Sequence, residues 1–355
     1  MAHICILYGG RSGEHEVSRR SASSVLAELA SHHDVMLIGI DRDGTWYLQD
    51  RPEPIPAVLD LRVDPAMRIA VVPGRGLASA DGIDRRVDVV LPVLHGSYGE
   101  DGCVQGLLES ARLPYAGSGV LGSAVGMDKE MAKRIWREAG LPVIPWRSLV
   151  GNFTPKRAAA EAAADLGFPL FVKPANAGSS VGVSRADDVD GLAAALVQAR
   201  RYDRKILVEQ AVEGREIECA VMGRDDPESF PPGEVIPAGN HRFYDYDAKY
   251  TDPDGALLKV PAELPAALAQ RIRSTAERAY RAVEARGLAR VDFLLRRSDG
   301  ALFINEINTM PGMTSISLFP RMAAAGGLDF TAVLERLIDE ARDEAAWRNG
   351  LSYNH

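Results

Sequence analysis

The chain has 355 residues, 46% of them hydrophobic and 25% charged, with a formal net charge of -8. That length exceeds what one small core holds and predicts two or three domains. The acidic balance excludes the basic face that a nucleic-acid partner requires. No apolar run approaches the roughly 20 residues that span a bilayer. The N-terminus enters an apolar strand at His3 without a basic segment or cleavage site, so it does not read as a signal peptide. Cys5, Cys103 and Cys219 are scattered, with no Cys-x-x-Cys spacing. They read as buried thiols of a reducing compartment.

Short apolar runs alternate with amphipathic helical stretches, which is an α/β pattern. Residues 3–8 form a strand pattern ending in Gly9-Gly10. Residues 18–31 carry helical spacing, 35–40 read as a second strand, and 87–94 as another that ends at His95-Gly96. These fit an open, doubly wound, Rossmann-like domain over 1–118. Ligands of such sheets bind at the carboxyl ends of strands, where 9–16 and 95–101 fall. A central unit over 119–212 follows, with a helix at 129–139 and strands at Leu170–Pro174 and 206–209 flanking a helical 188–201. The third unit, 213–355, holds an irregular segment near 240–256, a helix over 265–286, a hairpin, and a terminal helix over 330–347.

The hairpin is the most legible chemistry. Val291-Asp292-Phe293-Leu294-Leu295 and residues 301–308 are strand patterns joined through Ser298-Asp299-Gly300. A three-residue loop there sets Arg297 opposite Ala301 and Asp292 opposite Glu306. With period two, Arg290, Asp292, Glu306 and Asn308 then share one face, and Phe293, Leu295, Phe303 and Ile307 the other. Two carboxylates and an amide oxygen are the hard donors Mg²⁺ takes while it also holds phosphates. A solvated face with an incidental Arg290 to Asp292 contact is the alternative.

A second constellation runs Lys173-Pro174-Ala175-Asn176-Ala177-Gly178-Ser179-Ser180-Val181-Gly182. A strand presents a lysine, then small residues expose backbone N–H groups and hydroxyls able to cover phosphate oxygens. It is not a Walker A loop, because no Gly-Lys-Ser/Thr follows, and a plain turn is its bland alternative. Lys129 sits at a helix start, where phosphate is favoured. Glu209, with the backbone beyond it, is placed to read an adenine amino group; taken alone, each is also an ordinary surface charge. Gly117-Ser118-Gly119-Val120-Leu121-Gly122 matches a dinucleotide fingerprint, but the acid at the required distance, Glu138, lies inside a helix.

In this order, the segments resemble the ATP-grasp family and, within it, the D-alanine–D-alanine ligases. Further carriers are Gly9-Gly10-Arg11-Ser12-Gly13-Glu14-His15-Glu16-Val17-Ser18, His95-Gly96 with Gly99-Glu100-Asp101-Gly102, and Met127-Asp128-Lys129. They continue with Phe243-Tyr244-Asp245-Tyr246-Asp247-Ala248-Lys249-Tyr250, Arg290-Val291-Asp292, and Asn305-Glu306-Ile307-Asn308-Thr309-Met310-Pro311-Gly312-Met313-Thr314-Ser315. The resemblance covers essentially the whole chain and implies an ATP-grasp fold behind a Rossmann-like N-terminal domain.

It also implies roles. Lys129, Lys173, Ser179, Ser180, Glu209, Val212, Glu216 and Lys249 would contact ATP; Asp292, Glu306 and Asn308 would hold two Mg²⁺ (or Mn²⁺) ions. Glu14 would take the first amino acid's ammonium, in a hydrogen-bonded network with Ser179 and Tyr250 that also positions a mobile loop. Arg290 and the Gly312 amide would stabilise a tetrahedral oxyanion. Ser317 and Leu318 would hold the second substrate's carboxylate, with His95 nearby. The implied product is D-alanyl-D-alanine for peptidoglycan, made by a cytoplasmic homodimer acting on small molecules, without nucleic acid or membrane. Ala248-Lys249-Tyr250 resembles the dipeptide-forming kind rather than the D-lactate users. Ile316 replaces a histidine of some relatives, and residues 225–234 form an acidic, proline-bearing stretch. A ligase taking D-lactate or D-serine second, and a non-catalytic nucleotide binder, are the alternatives.

Overall fold

The structure, a computed structural model, describes residues 1–79, 82, 84–238 and 255–352. The N-terminal strand His3–Gly9 carries Ile4, Cys5, Ile6 and Leu7, all fully buried, as suits a strand with a neighbour on each side. Asp34–Ile40 and Val89–Pro92 flank it in parallel. Beyond Asp34–Ile40 the sheet turns antiparallel through Trp46–Gln49, Arg68–Val72, Gly76–Ser79 and Asp84–Arg85. The chain crosses to one side of His3–Gly9 for Asp34–Ile40 and later to the other for Val89–Pro92, and Gly9 and His95 lie at or just beyond the carboxyl ends of these parallel strands. Such a divergence opens a crevice at the carboxyl ends.

The central sheet is antiparallel, in the order Ser184–Ala186, Leu170–Pro174, Lys205–Gln210, Trp146–Val150. Leu170, Val172, Ile206 and Val208 point to helices Pro155–Leu166 and Val189–Ala199, whose alanine- and leucine-rich faces complete a small core. Strand alternation puts Phe171, Lys173, Leu207 and Glu209 on the opposite face. That face meets the helix Lys129–Glu138.

The third sheet runs Ala256–Lys259, Gly233–Pro237, Gly214–Met222, Leu288–Arg296, Leu302–Asn308, with Glu228–Ser229 beside Gly214–Met222. Helix Ala266–Ala282 covers one face together with Ala132 and Trp136 from Lys129–Glu138. Trp136 is fully buried and donates Nε1–H to Ala279 O at 3.0 Å, anchoring the lysines of its helix. Helices Leu318–Ala325 and Phe330–Asn349 cover the other face and share one core with the N-terminal sheet, Phe319 and Val333 packing with Ile4 and Leu26. Among the described residues, no helix is long and apolar enough to cross a membrane.

Three sequence expectations need correction. The hairpin turn has four residues, not three: Arg296 pairs with Ala301 through Arg296 N–H to Ala301 O at 2.8 Å. A bulge then shifts the register between Asp292 and Phe293, so that Asp292 still faces Glu306 and Arg290 still faces Asn308. The extra residue is Asn305. Because of the shift, Phe303 pairs with Leu294 and leaves the core side, where Leu302 and Ile304 stand instead. Lastly, Cys5 and Cys219 are buried but Cys103 is exposed, since it opens the helix Cys103–Ser110 at the surface.

Candidate active site

A cavity of about 590 Å³ lies where the three units meet. Glu14, Ser21 and His95 line it from the first unit, Lys129 and Ser179 from the second, and Glu218, Arg290, Glu306, Asn308 and Gly312 from the third.

At its first-unit wall, Glu14 N–H donates to Ser12 Oγ at 3.1 Å, and Ser12 Oγ donates to His95 O at 2.7 Å. Ser179 donates its hydroxyl to Glu14 Oε1. The carboxylate is seated against two glycines: a Cβ on Gly96 or Gly178 would lie 2.6 or 2.5 Å from Glu14 Oε2. A side chain at either place would push the Glu14 carboxylate out of this seat, and Gly96 also takes a φ of 75°. Ser179 and Ser180 take φ of 49° and 58°, a left-handed turn that costs non-glycine residues energy and is typical of loops shaped for a ligand.

His95 is buried between Ser21 Oγ (2.9 Å to Nε2) and Met310 O (2.9 Å to Nδ1). A carbonyl opposite Nδ1 requires the proton there, so Nε2 accepts from the serine. Burial lowers its basicity, which keeps the ring neutral. Glu100, also buried, accepts the N–H groups of Gly96 at 2.6 Å and Met310 at 3.1 Å, bracing the two loops together. Burial, with the charge of Glu14 added, pushes its carboxyl up to about 8.

On the third-unit wall, Arg290 lies between two carboxylates, Asp292 at 2.7 Å and Glu218 at 2.8 Å from Nε. Burial opposes its charge, but Asp292 and Glu218 hold it well above the usual arginine value. Asn308 Nδ2 donates to Asp292 Oδ2 at 3.0 Å. Glu306 meets Lys129 Nζ at 3.3 Å, and Lys129 also donates to Ala177 O at 2.8 Å. Asp128 caps the helix by accepting the Glu130 and Met131 N–H groups, which fixes where Lys129 points.

Among the described residues no three His, Cys, Asp or Glu side chains cluster around a metal position. The expected donors are two carboxylates and one amide, with Asp292 and Glu306 directly paired across the strands. Hard oxygen donors that few in number suit Mg²⁺, which keeps waters and phosphate oxygens as its other ligands. The residue types suit the ion, but here both Asp292 oxygens accept from Arg290, at 2.7 and 2.8 Å, and Asn308 presents its amide nitrogen to Asp292, so Asp292 and Asn308 would have to turn to ligate it.

Lys173 and Glu209 do not line the cavity; they lie beside it. Lys173 Nζ donates to Asn305 Oδ1 at 3.0 Å and pairs with Glu209 Oε2 at 2.8 Å. The other Glu209 oxygen meets Lys133 Nζ at 2.9 Å, and both of these side chains are almost fully buried. Burial alone would raise the Glu209 carboxyl, yet the two lysines hold it at about 2. With both oxygens so engaged, the side chain is not available to an adenine amino group; only backbone beyond it is. Glu216 acts on the charge of Lys173, and Val212 lies half-buried in the link between Lys205–Gln210 and Gly214–Met222. Ser317 precedes the helix that Leu318 begins; its side chain makes no cap hydrogen bond and instead sets its Oγ 2.7 Å from Thr314 Oγ1. Lys249 and Tyr250 lie outside the described residues.

Lys133, Glu218 and Glu100 are site residues that sequence reasoning gave no role. The signals were present: Lys129 and Lys133 stand four apart on one helix face, and Glu216 and Glu218 alternate on one strand face.

A family model described as D-ala D-ala ligase N-terminus matches residues 3–118, and one described as D-ala D-ala ligase C-terminus matches 135–339. The chain belongs to the D-alanine–D-alanine ligase family. It is 44% identical, over 96% of both chains, to the D-alanine–D-alanine ligase of Treponema denticola. Its fold is similar to the D-alanine-D-alanine ligase of Coxiella burnetii, with a TM-score of 0.85, 33% identity, and 98% and 97% of the two chains covered. It is similar also to the VanG D-Ala:D-Ser ligase of Enterococcus faecalis, with a TM-score of 0.83, 34% identity, and 96% and 99% covered. The fold is therefore that of the ATP-grasp enzymes, and the protein is an ATP-dependent ligase. The reading as a non-catalytic nucleotide binder is set aside.

Proposed function

We propose that the enzyme joins two D-alanines to D-alanyl-D-alanine, releasing ADP and phosphate, for peptidoglycan precursors. The observation that carries this reading is the single cavity in which Glu14, held by Ser179, faces the Arg290, Glu306 and Asn308 wall. A carboxylate for an ammonium and a mixed wall, in which Arg290 and Lys129 stand among Glu218 and Glu306, open on one cavity.

A carboxylate is a poor electrophile, so its oxygen first attacks the γ-phosphorus of ATP to give an acyl phosphate. The amine of the second amino acid then attacks the carbonyl carbon, and phosphate leaves with the C–O electron pair. Glu14 orients the first ammonium. Lys129 and Lys173 meet the phosphates, with Ser179, Ser180, Val212 and Glu216 completing the nucleotide's surroundings. Asp292, Glu306 and Asn308 would hold two Mg²⁺ ions, which when bound would supply charge neutralisation for phosphoryl transfer. Arg290 and the Gly312 N–H receive the oxyanion of the second step. Ser317 and the Leu318 N–H, at the start of a helix, take the second substrate's carboxylate. Lys249 and Tyr250 belong to the same scheme through the family resemblance alone. The reading includes a homodimer in the cytoplasm acting on small molecules.

Phosphate release measured with D-alanine, D-serine and D-lactate as second substrate tests the assignment. D-Alanine is expected to be preferred; preference for D-lactate or D-serine overturns it.

A further inference from the structure

Lys133 has no part in the scheme above, yet its side chain is 0% exposed and makes one of the most enclosed ion pairs in the protein. Lys129 and Lys133 stand one helical turn apart and face the same way. Lys129 reaches Ala177 O and Glu306. Lys133 runs under the central sheet instead, to Glu209 Oε1 at 2.9 Å and Ile144 O at 3.3 Å, with the Trp146 ring 5.5 Å away.

Glu209 and Lys173 lie diagonally on adjacent strands, on one face of the sheet. The carboxylate therefore bridges two ammonium groups, Lys133 on Oε1 and Lys173 on Oε2. With both ammonium groups charged, the trio carries one positive charge in excess; Glu306 and Glu216 also face Lys173, each with a weaker effect than Glu209. Enclosing an incompletely neutralised lysine is costly, and an apolar side chain of similar length would stabilise the fold more simply. Had Glu209 only Lys173 as a partner, the pair would be neutral, and the attraction of that ammonium for a phosphate would be largely cancelled from 2.8 Å away.

We propose that Lys133 is a positioning residue for nucleotide binding: acting through Glu209, it holds Lys173 in place and leaves the trio a surplus positive charge for an ATP phosphate oxygen. The inference rests on the assignment of Lys173 to ATP phosphates. The low Glu209 carboxyl agrees with it, since the bridge stays anionic. Asn305 supplies the direction, fixing Lys173 from the third unit at 3.0 Å.

The test is titration calorimetry of the whole enzyme with Mg²⁺ and a nonhydrolysable ATP analogue, alongside thermal melts and KM values for ATP and D-alanine. Lys133→Met is expected to weaken nucleotide binding by about tenfold or more, the weight of a charge-assisted contact. KM for D-alanine should stay unchanged. The double variant Lys133→Met with Glu209→Gln restores one positive charge at the trio. It should bind within about threefold of wild type, because coupled sites are not additive. A structural role would not yield that rescue. Unchanged binding by folded Lys133→Met, or a folded double variant that binds no better than it, overturns the inference. If Lys133→Met does not fold, the charge-balanced double variant decides alone, and loss of nucleotide binding in its folded form is the overturning result. Lys173→Met separates the two levels: wild-type binding by this variant removes the phosphate assignment itself.

Discussion

Asn305 Oδ1 accepts from Lys173 Nζ at 3.0 Å, joining two strands from different sheets across 132 residues of sequence. Asn305 is the additional residue of the bulge between Asp292 and Phe293. Bulges re-aim side chains next to active sites, and this one lets consecutive residues serve two lysines. Asn305 holds Lys173, and Glu306 meets Lys129 at 3.3 Å.

Asn305→Ala is expected to raise KM for ATP several-fold while costing about 1 kcal/mol of stability, the usual weight of one hydrogen bond. Steady-state kinetics and urea unfolding measure the two separately. An unchanged KM for ATP would show that Lys173 needs no anchor from the third unit.

Glu306→Ala removes one of the two carboxylates of the proposed metal site and the partner of Lys129. Turnover is expected to vanish, with the melting temperature nearly retained because the side chain is partly exposed at a cavity wall. ADP release and Mg²⁺ titration check it; turnover at the wild-type rate would remove the metal assignment.

Glu100 gives stability a pH dependence. Burial, added to by the charge of Glu14, raises its carboxyl from the ordinary 4.5 to about 8 in the folded chain. Between those values the folded chain binds more protons than the unfolded one, so this group's contribution to stability falls as pH rises. Glu100→Gln, which cannot ionise, should flatten that decline. Urea unfolding of both proteins at pH 5.5 and 8 is the measurement. An equal decline in both would place the raised carboxyl elsewhere.

Much of the site was legible because β-strand alternation is strict. Once Asp292 and Glu306 are set opposite each other, Arg290 and Asn308 must join them on one face. The strand Leu170–Pro174 likewise had to present Lys173 opposite its apolar neighbours. The hairpin register, though, came out right through two offsetting departures. A four-residue turn moved the strand by one residue, and the bulge at Asn305 moved it back before the site. Phe303, between the two, carries the visible consequence. Bulges leave almost no local signature, since an asparagine in a strand reads as any polar residue does.

The sequence by itself determined which residue types stand on which faces, and the order of motifs that marks the family, because periodicity and spacing are properties of the local chain. Only the tertiary structure decided that Lys133 is enclosed and shares Glu209 with Lys173, that Glu218 flanks Arg290, and that Glu14 is seated against two glycines from different units. Those relationships depend on how helices and sheets pack across long separations. A charged side chain's partner is set by that packing and not by its neighbours in the chain.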